Sequence, residues 1–185
     1  MEKFEEEYFK ERNPGLEPKH EYEVRKWIRY FSLQPSDRVF VHGCGYGQRL
    51  HWFLTLGMNA WGMEVSEYAM KNAYGSTGGK IHSWLPSSEH SRGWYDLVVS
   101  VDVLEHINED RLINTLIKLS KLSLKAVYGI TYIDNHNFPK DPTHITGMAK
   151  QEWKDLLSRF YKKVYDAPRD WFESDMYLIC YGIKK

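Results

Sequence analysis

Apolar residues along this chain follow two alternating rhythms. Short unbroken runs, such as Val39–Val41 in RVFVH and the apolar stretch of WYDLVVSVDV (94–103), read as buried strands. Between them, apolar residues recur three and four positions apart, as on one face of a helix. In HEYEVRKWIRYF (20–31) these are Tyr22, Val24, Trp27, Ile28 and Phe31. In RLHWFLTLG they are Leu50, Phe53, Leu54 and Leu56, with Gly57 as the stop. SEYAMKNAYG predicts a helix capped by Ser66 and closed by Gly75. A helix opening at Asn108 turns Leu112, Ile113, Leu116, Ile117 and Leu119 inward, and AKQEWKDLLSRF does the same with Trp153, Leu156, Leu157 and Phe160. Strands are predicted at 38–42, 59–65, 80–84, 94–103 and 124–133, then as an antiparallel pair near 163–167 and 175–183. Asn13-Pro14-Gly15 reads as a turn.

Strands alternating with helices imply an α/β fold. The expected form is a doubly wound, mostly parallel sheet with helices on both faces. In such sheets a ligand sits at the carboxyl ends of the strands, beside strand one. A length of 185 residues suits a single domain, with 1–35 as an N-terminal helical segment and 36–185 as the core.

Composition narrows the partners. Lys+Arg and Asp+Glu both number 25, so no global field draws in nucleic acid or an anionic membrane, although a local basic patch remains open. Two cysteines, Cys44 and Cys180, make neither a disulfide framework nor a CxxC site and favour a reducing compartment. The charged start carries no apolar signal region, and no apolar run is long enough to span a bilayer. The expectation is a soluble, cytoplasmic protein with no membrane partner.

The candidate chemistry begins where strand one meets HGCGYGQ. Gly43, Gly45 and Gly47 fall within five positions, and backbone N–H groups in such a turn can meet a ligand closely. Gln48 stands where a dinucleotide fingerprint has its third glycine, so the nicotinamide pattern is not met. Glu64 lies 21 residues after Gly43 at the end of the second strand, where an acid can accept both hydroxyls of a ribose. The two features together indicate an adenosine-bearing ligand.

HGCGYG (42–47), GMEVSEYAM (62–70), YDLVVSVDVLEHI (95–107) and HITGMAKQEW (144–153) resemble the successive motifs of class I S-adenosylmethionine-dependent methyltransferases. The resemblance covers about residues 38–183 and implies a seven-stranded Rossmann-like sheet with its last strand antiparallel. It implies that Gly43, Cys44, Gly45 and Gly47 wrap the methionine part of S-adenosyl-L-methionine. Glu64 would hold the ribose, Val65 would pack on the adenine, and Ser100 to Asp102 would lie under the sulfonium. Two positions depart from the family pattern. Val41 stands where an acid usually precedes the glycines, and IHSWLP (81–86) has no acid for the adenine amino group. His42 takes a position that is often apolar.

Methyl transfer to oxygen needs an aligned hydroxyl and a way to remove its proton. If the turn after strand four were helical, Asp102, Glu105 and His106 would share one face at i, i+3 and i+4, and His144 could join them. That set resembles the E-x-x-E-H plus distal His site of methyltransferases that modify the terminal ribose of small RNAs or O-methylate ubiquinone precursors. The resemblance implies a divalent cation, magnesium, manganese or zinc, held by Asp102, Glu105, His106 and His144. His106 or His144 as a metal-free general base is the alternative. Acceptor contacts are expected from Tyr8, Phe9, Tyr22, Trp27, His136, Phe138 and Lys140. The reading is a methyltransferase acting on a hydroxyl of a small molecule or sugar. Its rivals are an RNA-terminal methyltransferase with a divalent metal and a non-catalytic, methyltransferase-like binding protein.

Overall fold

The computed structural model describes residues 6–11, 15–86, 93–134, 140–171 and 174–184. His136, Phe138 and the expected turn at Asn13-Pro14 lie outside the described residues. The seven strands form one sheet in the order β3-β2-β1-β4-β5-β7-β6, and the chain clusters into two compact units, Met1–Leu85 and Pro86–Lys185.

The first unit contains α1 (Glu6–Glu11), α2 (Pro18–Phe31), β1 (Arg38–His42), α3 (Gln48–Thr55), β2 (Asn59–Met63), α4 (Glu67–Lys71) and β3 (Ile81–His82). β1 pairs with β2 and β2 with β3, both parallel. Pro18 opens α2, where a missing N–H costs nothing, and Ser32 ends it in a left-handed conformation at φ 52°. The buried stripe of α2 is His20, Glu23, Val24, Trp27 and Phe31. Tyr22 therefore falls off the stripe and is exposed. Trp27 is fully buried and stacks on Phe53 at 6.1 Å, so it is core and not an acceptor-pocket residue.

Two helix ends differ from expectation. α3 buries Leu50 and Phe53 but leaves Leu54 and Leu56 half-buried. α4 stops at Asn72, whose side chain turns back to donate to the Tyr68 carbonyl at 2.8 Å. Gly75, expected to close α4, instead opens the 3-10 turn Gly75–Thr77.

The second unit contains β4 (Leu97–Val101), α5 (Glu109–Leu122), β5 (Lys125–Gly129), α6 (Lys150–Leu157), β6 (Tyr161–Asp166) and β7 (Tyr177–Ile183). β4 and β5 run parallel, and β7 lies antiparallel between β5 and β6, so the terminal hairpin forms as its sequence pattern predicts. β5 ends at Gly129, four residues before the expected 133. A Cβ at Gly129 would come within 2.7 Å of both Tyr177 Cε1 and Val101 Cγ1. Beyond it, the Thr131 N–H leaves the ladder and donates to the Glu105 carboxylate at 2.7 Å. Among the described residues no helix is long and apolar enough to cross a membrane, and Cys44 and Cys180 are free and buried.

Candidate active site

In the first unit the glycine turn leaves the carboxyl end of β1. Gly43, Gly45 and Gly47 all have positive φ, at 63°, 55° and 84°. The requirement for glycine is strongest at Gly47, where a Cβ would also meet Thr77 Cγ2 at 2.9 Å. Glu64, just past β2, fastens this turn. Its Oε2 accepts the Gly45 N–H at 2.8 Å, and its Oε1 accepts the N–H groups of Val65 and Ser66 at 2.8 and 2.9 Å. A carboxylate oxygen can accept twice, so Oε2 keeps capacity for one ligand hydroxyl.

Cys44 contributes its backbone to the turn while its thiol is buried. A Cβ on Gly62 of β2 would stand 2.7 Å from the Cys44 Sγ. Val65 is 43% exposed and, with Met70 and Ser83, lines a hollow of about 510 Å3 beside α4. Val41 and His42 are both buried, and burial pushes the His42 imidazole down to about 4.

The helix α1 also reaches the turn. A Cβ at Gly45 would stand 3.6 Å from Phe9 Cε1. The Phe9 ring meets Tyr46 edge-on at 5.4 Å, and Tyr46 meets Tyr68 edge-on at 6.4 Å. No α1 residue is buried, and six residues are too few for a stable isolated helix. Its place therefore depends on these aromatic contacts. Tyr46 sits between two glycines, a position that sequence reasoning gave no role.

In the second unit the segment after β4 is not an α-helix. Asp102 is left-handed at φ 55°, uncommon outside glycine, and Leu104–His106 form a 3-10 turn. The expected i, i+3, i+4 face is thereby broken. The group whose ligand atoms lie within 4.8 Å of one another is Glu105, His106 and His144, without Asp102. Asp102 is exposed, its N–H donating to the Gly129 carbonyl at 3.0 Å, and Ser100 is fully buried within β4.

The three-residue cluster is built by the loop that precedes α6. The N–H groups of Ile145 and Thr146 donate to the Glu105 carbonyl at 3.0 and 2.9 Å, and Thr146 Oγ1 donates to Ile107 O at 2.6 Å. His106 Nδ1 lies 3.0 Å from the Thr143 carbonyl, an acceptor that fixes the proton there and leaves Nε2 as the basic nitrogen. His144 Nε2 lies 3.6 Å from Asp141 Oδ2, and the two imidazoles are 4.7 Å apart between centroids. Glu105 is fully buried. One oxygen accepts from Thr131, and the other, Oε2, has no hydrogen-bond partner among the described residues. Burial pushes its carboxyl up to about 8, with the charge of Asp102 adding to the rise. A buried carboxylate oxygen without a donor carries a desolvation cost that a cation would remove. Two imidazoles and a carboxylate form a donor set that suits zinc or manganese better than magnesium. The supporting residues Thr131, Asp141, Thr143 and Thr146 escaped sequence reasoning. Only the flanking of His144 by Asp141 and Thr143 in DPTHIT could have pointed to any of them.

No protein-family model matches this sequence, and no curated protein matches it. Solved structures do. A SAM-dependent methyltransferase from Archaeoglobus fulgidus is 21% identical with a TM-score of 0.65, over 87% of this chain and 78% of that one. The complex between the Haloferax volcanii Trm112 methyltransferase activator and a methyltransferase matches at 13% identity and a TM-score of 0.67, over 94% of this chain and 95% of that one. The methyltransferase domain of bacterial CtHen1 matches at 14% identity and a TM-score of 0.58, over 90% of this chain and all of that one. With its strand order and antiparallel terminal hairpin, the chain has the Rossmann-like fold of class I S-adenosylmethionine-dependent methyltransferases.

Proposed function

We propose that this protein is an S-adenosylmethionine-dependent methyltransferase that methylates a hydroxyl of a small molecule or sugar with the help of a divalent cation. The observation that carries the reading is the pinned turn: three left-handed glycines after β1, tied through Gly45 to the buried carboxylate of Glu64. Gly43 to Gly47 would surround the methionine arm and Glu64 Oε2 would accept a ribose hydroxyl. The hollow beside Val65 and Ser83 would take the adenine. The Ser83 hydroxyl offers a polar partner where the family's usual acid is missing.

Bound cofactor supplies an activated methyl group that leaves its sulfonium by in-line displacement. The protein's part is to orient the acceptor oxygen and manage its proton. Glu105 Oε2, His106 Nε2 and His144 would hold the cation, and Asp141 and the Thr143 carbonyl would fix the imidazoles. The chemistry such a cation would supply is a lower pKa for an acceptor hydroxyl bound to it. Asp102, exposed at the end of β4, is the carboxylate left to receive the proton.

A second reading places the hydroxyl on the terminal ribose of an RNA. It rests on the likeness of DVLEH plus His144 to that group of methyltransferases and is compatible with the fold likeness to the bacterial CtHen1 domain. Calorimetry with S-adenosylhomocysteine tests the shared core of both readings. Binding in the micromolar range is expected, and no heat at millimolar ligand would overturn it. Transfer that is unaffected by a chelator would remove the cation and leave His106 or His144 as the base.

A further inference from the structure

Charge balances over the whole chain but not over its surface. Many cations sit on carboxylates: Lys10 on Glu6, Arg25 on Glu21, Arg49 on Glu23, Lys150 and Lys154 on Asp166. One face of the second unit is different. Between the last turns of α5 and the ends of the β6–β7 hairpin lies a hollow of about 510 Å3, where Lys121, Arg159 and Lys184 surround a floor that includes Phe160 and Ile183. Along the hairpin a second hollow of about 390 Å3 is lined by Lys162, Lys163, Tyr165 and Tyr181, with Gly182. Their lining residues are neighbours in the chain, 159–160 and 183–184 in the first and 162–163 and 181–182 in the second, and among the described residues neither is lined by an acid.

The aromatic rings are placed between the charges. The Arg159 guanidinium lies 5.9 Å over the Phe160 ring, Tyr165 and Tyr181 meet edge-on at 6.2 Å, and Lys163 stands directly opposite Tyr181 in the ladder. Lys162 lies along Gly182, where a Cβ would stand 3.2 Å from its Cδ. Lysines on the edge strand β6 also discourage strand pairing between molecules, which accounts for Lys162 and Lys163. That role does not extend to Lys121, Arg159 or Lys184, which lie outside the strand.

We propose that this groove is a docking surface for single-stranded nucleic acid. Cations flanking aromatic rings, Tyr165 exposed and Phe160 and Tyr181 half-buried, match a strand whose phosphates need neutralising and whose unstacked bases need flat apolar partners. A hollow floored by the half-buried rings of Phe160 and Tyr181 fits a strand better than a lipid surface, which is met by protruding apolar side chains. The groove lies at the amino end of β5, whereas Glu105 follows the carboxyl end of β4, so a bound strand would leave the cluster of Glu105, His106 and His144 clear. The inference goes beyond the proposed methyl transfer and does not depend on it.

The test is fluorescence anisotropy of a labelled 12-nucleotide single-stranded RNA with the full chain at 50 and 200 mM salt. Five phosphate contacts give a slope of log K on log salt of about −3.5, hence a loss of about 100-fold over that range. Lys121→Gln with Lys184→Gln should flatten the slope by about 1.4, at roughly 0.7 per cation. Tyr181→Ala should weaken binding about tenfold and leave the slope unchanged. Absence of binding at 50 mM salt, or binding undiminished by both variants, would overturn the proposal. So would capture by phosphatidylserine vesicles in place of RNA. Calorimetry with S-adenosylhomocysteine on the same protein separates the two ideas. Cofactor binding without RNA binding defeats only the groove, and RNA binding without cofactor binding defeats only the transfer.

Discussion

The Thr143 carbonyl accepts from His106 Nδ1 at 3.0 Å, so the residue before one histidine sets the tautomer of the other. Thr143 is itself held by Asp141, which takes its N–H at 2.9 Å and its hydroxyl at 2.5 Å on the same oxygen. The other oxygen of Asp141 faces His144. One carboxylate therefore positions both imidazoles. Asp141→Asn should lower zinc or manganese affinity by about 10- to 100-fold, as losses of such supporting groups do. Competition against a chromophoric chelator reads this, and unchanged affinity would place the metal elsewhere.

Glu64 should matter for stability as well as for the cofactor. Its carboxylate takes three backbone N–H groups, and hydrogen bonds to a charged acceptor contribute about 1.5–3 kcal/mol each. Glu64→Ala should lower the urea midpoint and weaken S-adenosylhomocysteine at least tenfold. Glu64→Gln, which retains one carbonyl acceptor, should fall between. A variant with both properties unaltered would remove the ribose assignment.

The contact between α1 and the glycine turn predicts a milder effect. Phe9→Ala removes one edge-on pair with Tyr46, worth about 0.5–1.5 kcal/mol. A two- to tenfold rise in cofactor Kd with an unchanged thermal midpoint is expected, because no α1 residue is part of the buried core. Faster protease cleavage within α1, slowed by added cofactor, is the accompanying signature.

Acid should unfold the protein through two buried imidazoles. Burial pushes His42 down to about 4. Burial first, and then the charge of Arg49, bring His20 down to about 4 as well. Both titrate near 6.5 when unfolded. Between those values the unfolded chain binds protons that the folded one refuses, so stability falls as pH drops from 6.5 toward 4 and is flat in these groups above 6.5. Each contributes about 3 kcal/mol by pH 4. Urea melts at pH 7, 5.5 and 4.5 should show the decline, partly offset by the raised Glu105 carboxyl, which gains stability as pH falls over the same range, and a His42→Leu variant should show a smaller decline than the parent.

Much of the fold was legible because its signals are local. The run Val39–Val41, the apolar face of 150–157 and the terminal hairpin each carry their own periodicity. What failed to show depended on contacts distant in sequence. Tyr22 and Trp27 share one helical segment, and only the packing of α2 on Phe53 decides that Trp27 is the buried one. The length of β5 was overestimated because Gly129 ends it beneath Tyr177, 48 residues later in the chain. At the site, spacing brought Glu105 and His106 to notice, and the family resemblance added the distant His144. Asp102, read with them, lies outside that close group, because a single left-handed residue redirects the chain and sequence periodicity assumes uniform φ. The oxygen left over on Glu105 is a three-dimensional fact with no trace in DVLEH.

Cys44 lies inside the glycine turn, a position where a reactive thiol would couple the cradle to oxidants. Its Sγ instead packs over Gly62, and burial raises its pKa far above that of a free thiol, with the Glu64 charge adding to the rise. A thiol so held stays protonated and is a poor nucleophile. The cradle should therefore resist peroxide and alkylating agents whether or not cofactor is present, and this protein should keep its glycine turn intact through oxidative stress that disables enzymes with an exposed cysteine at the same place.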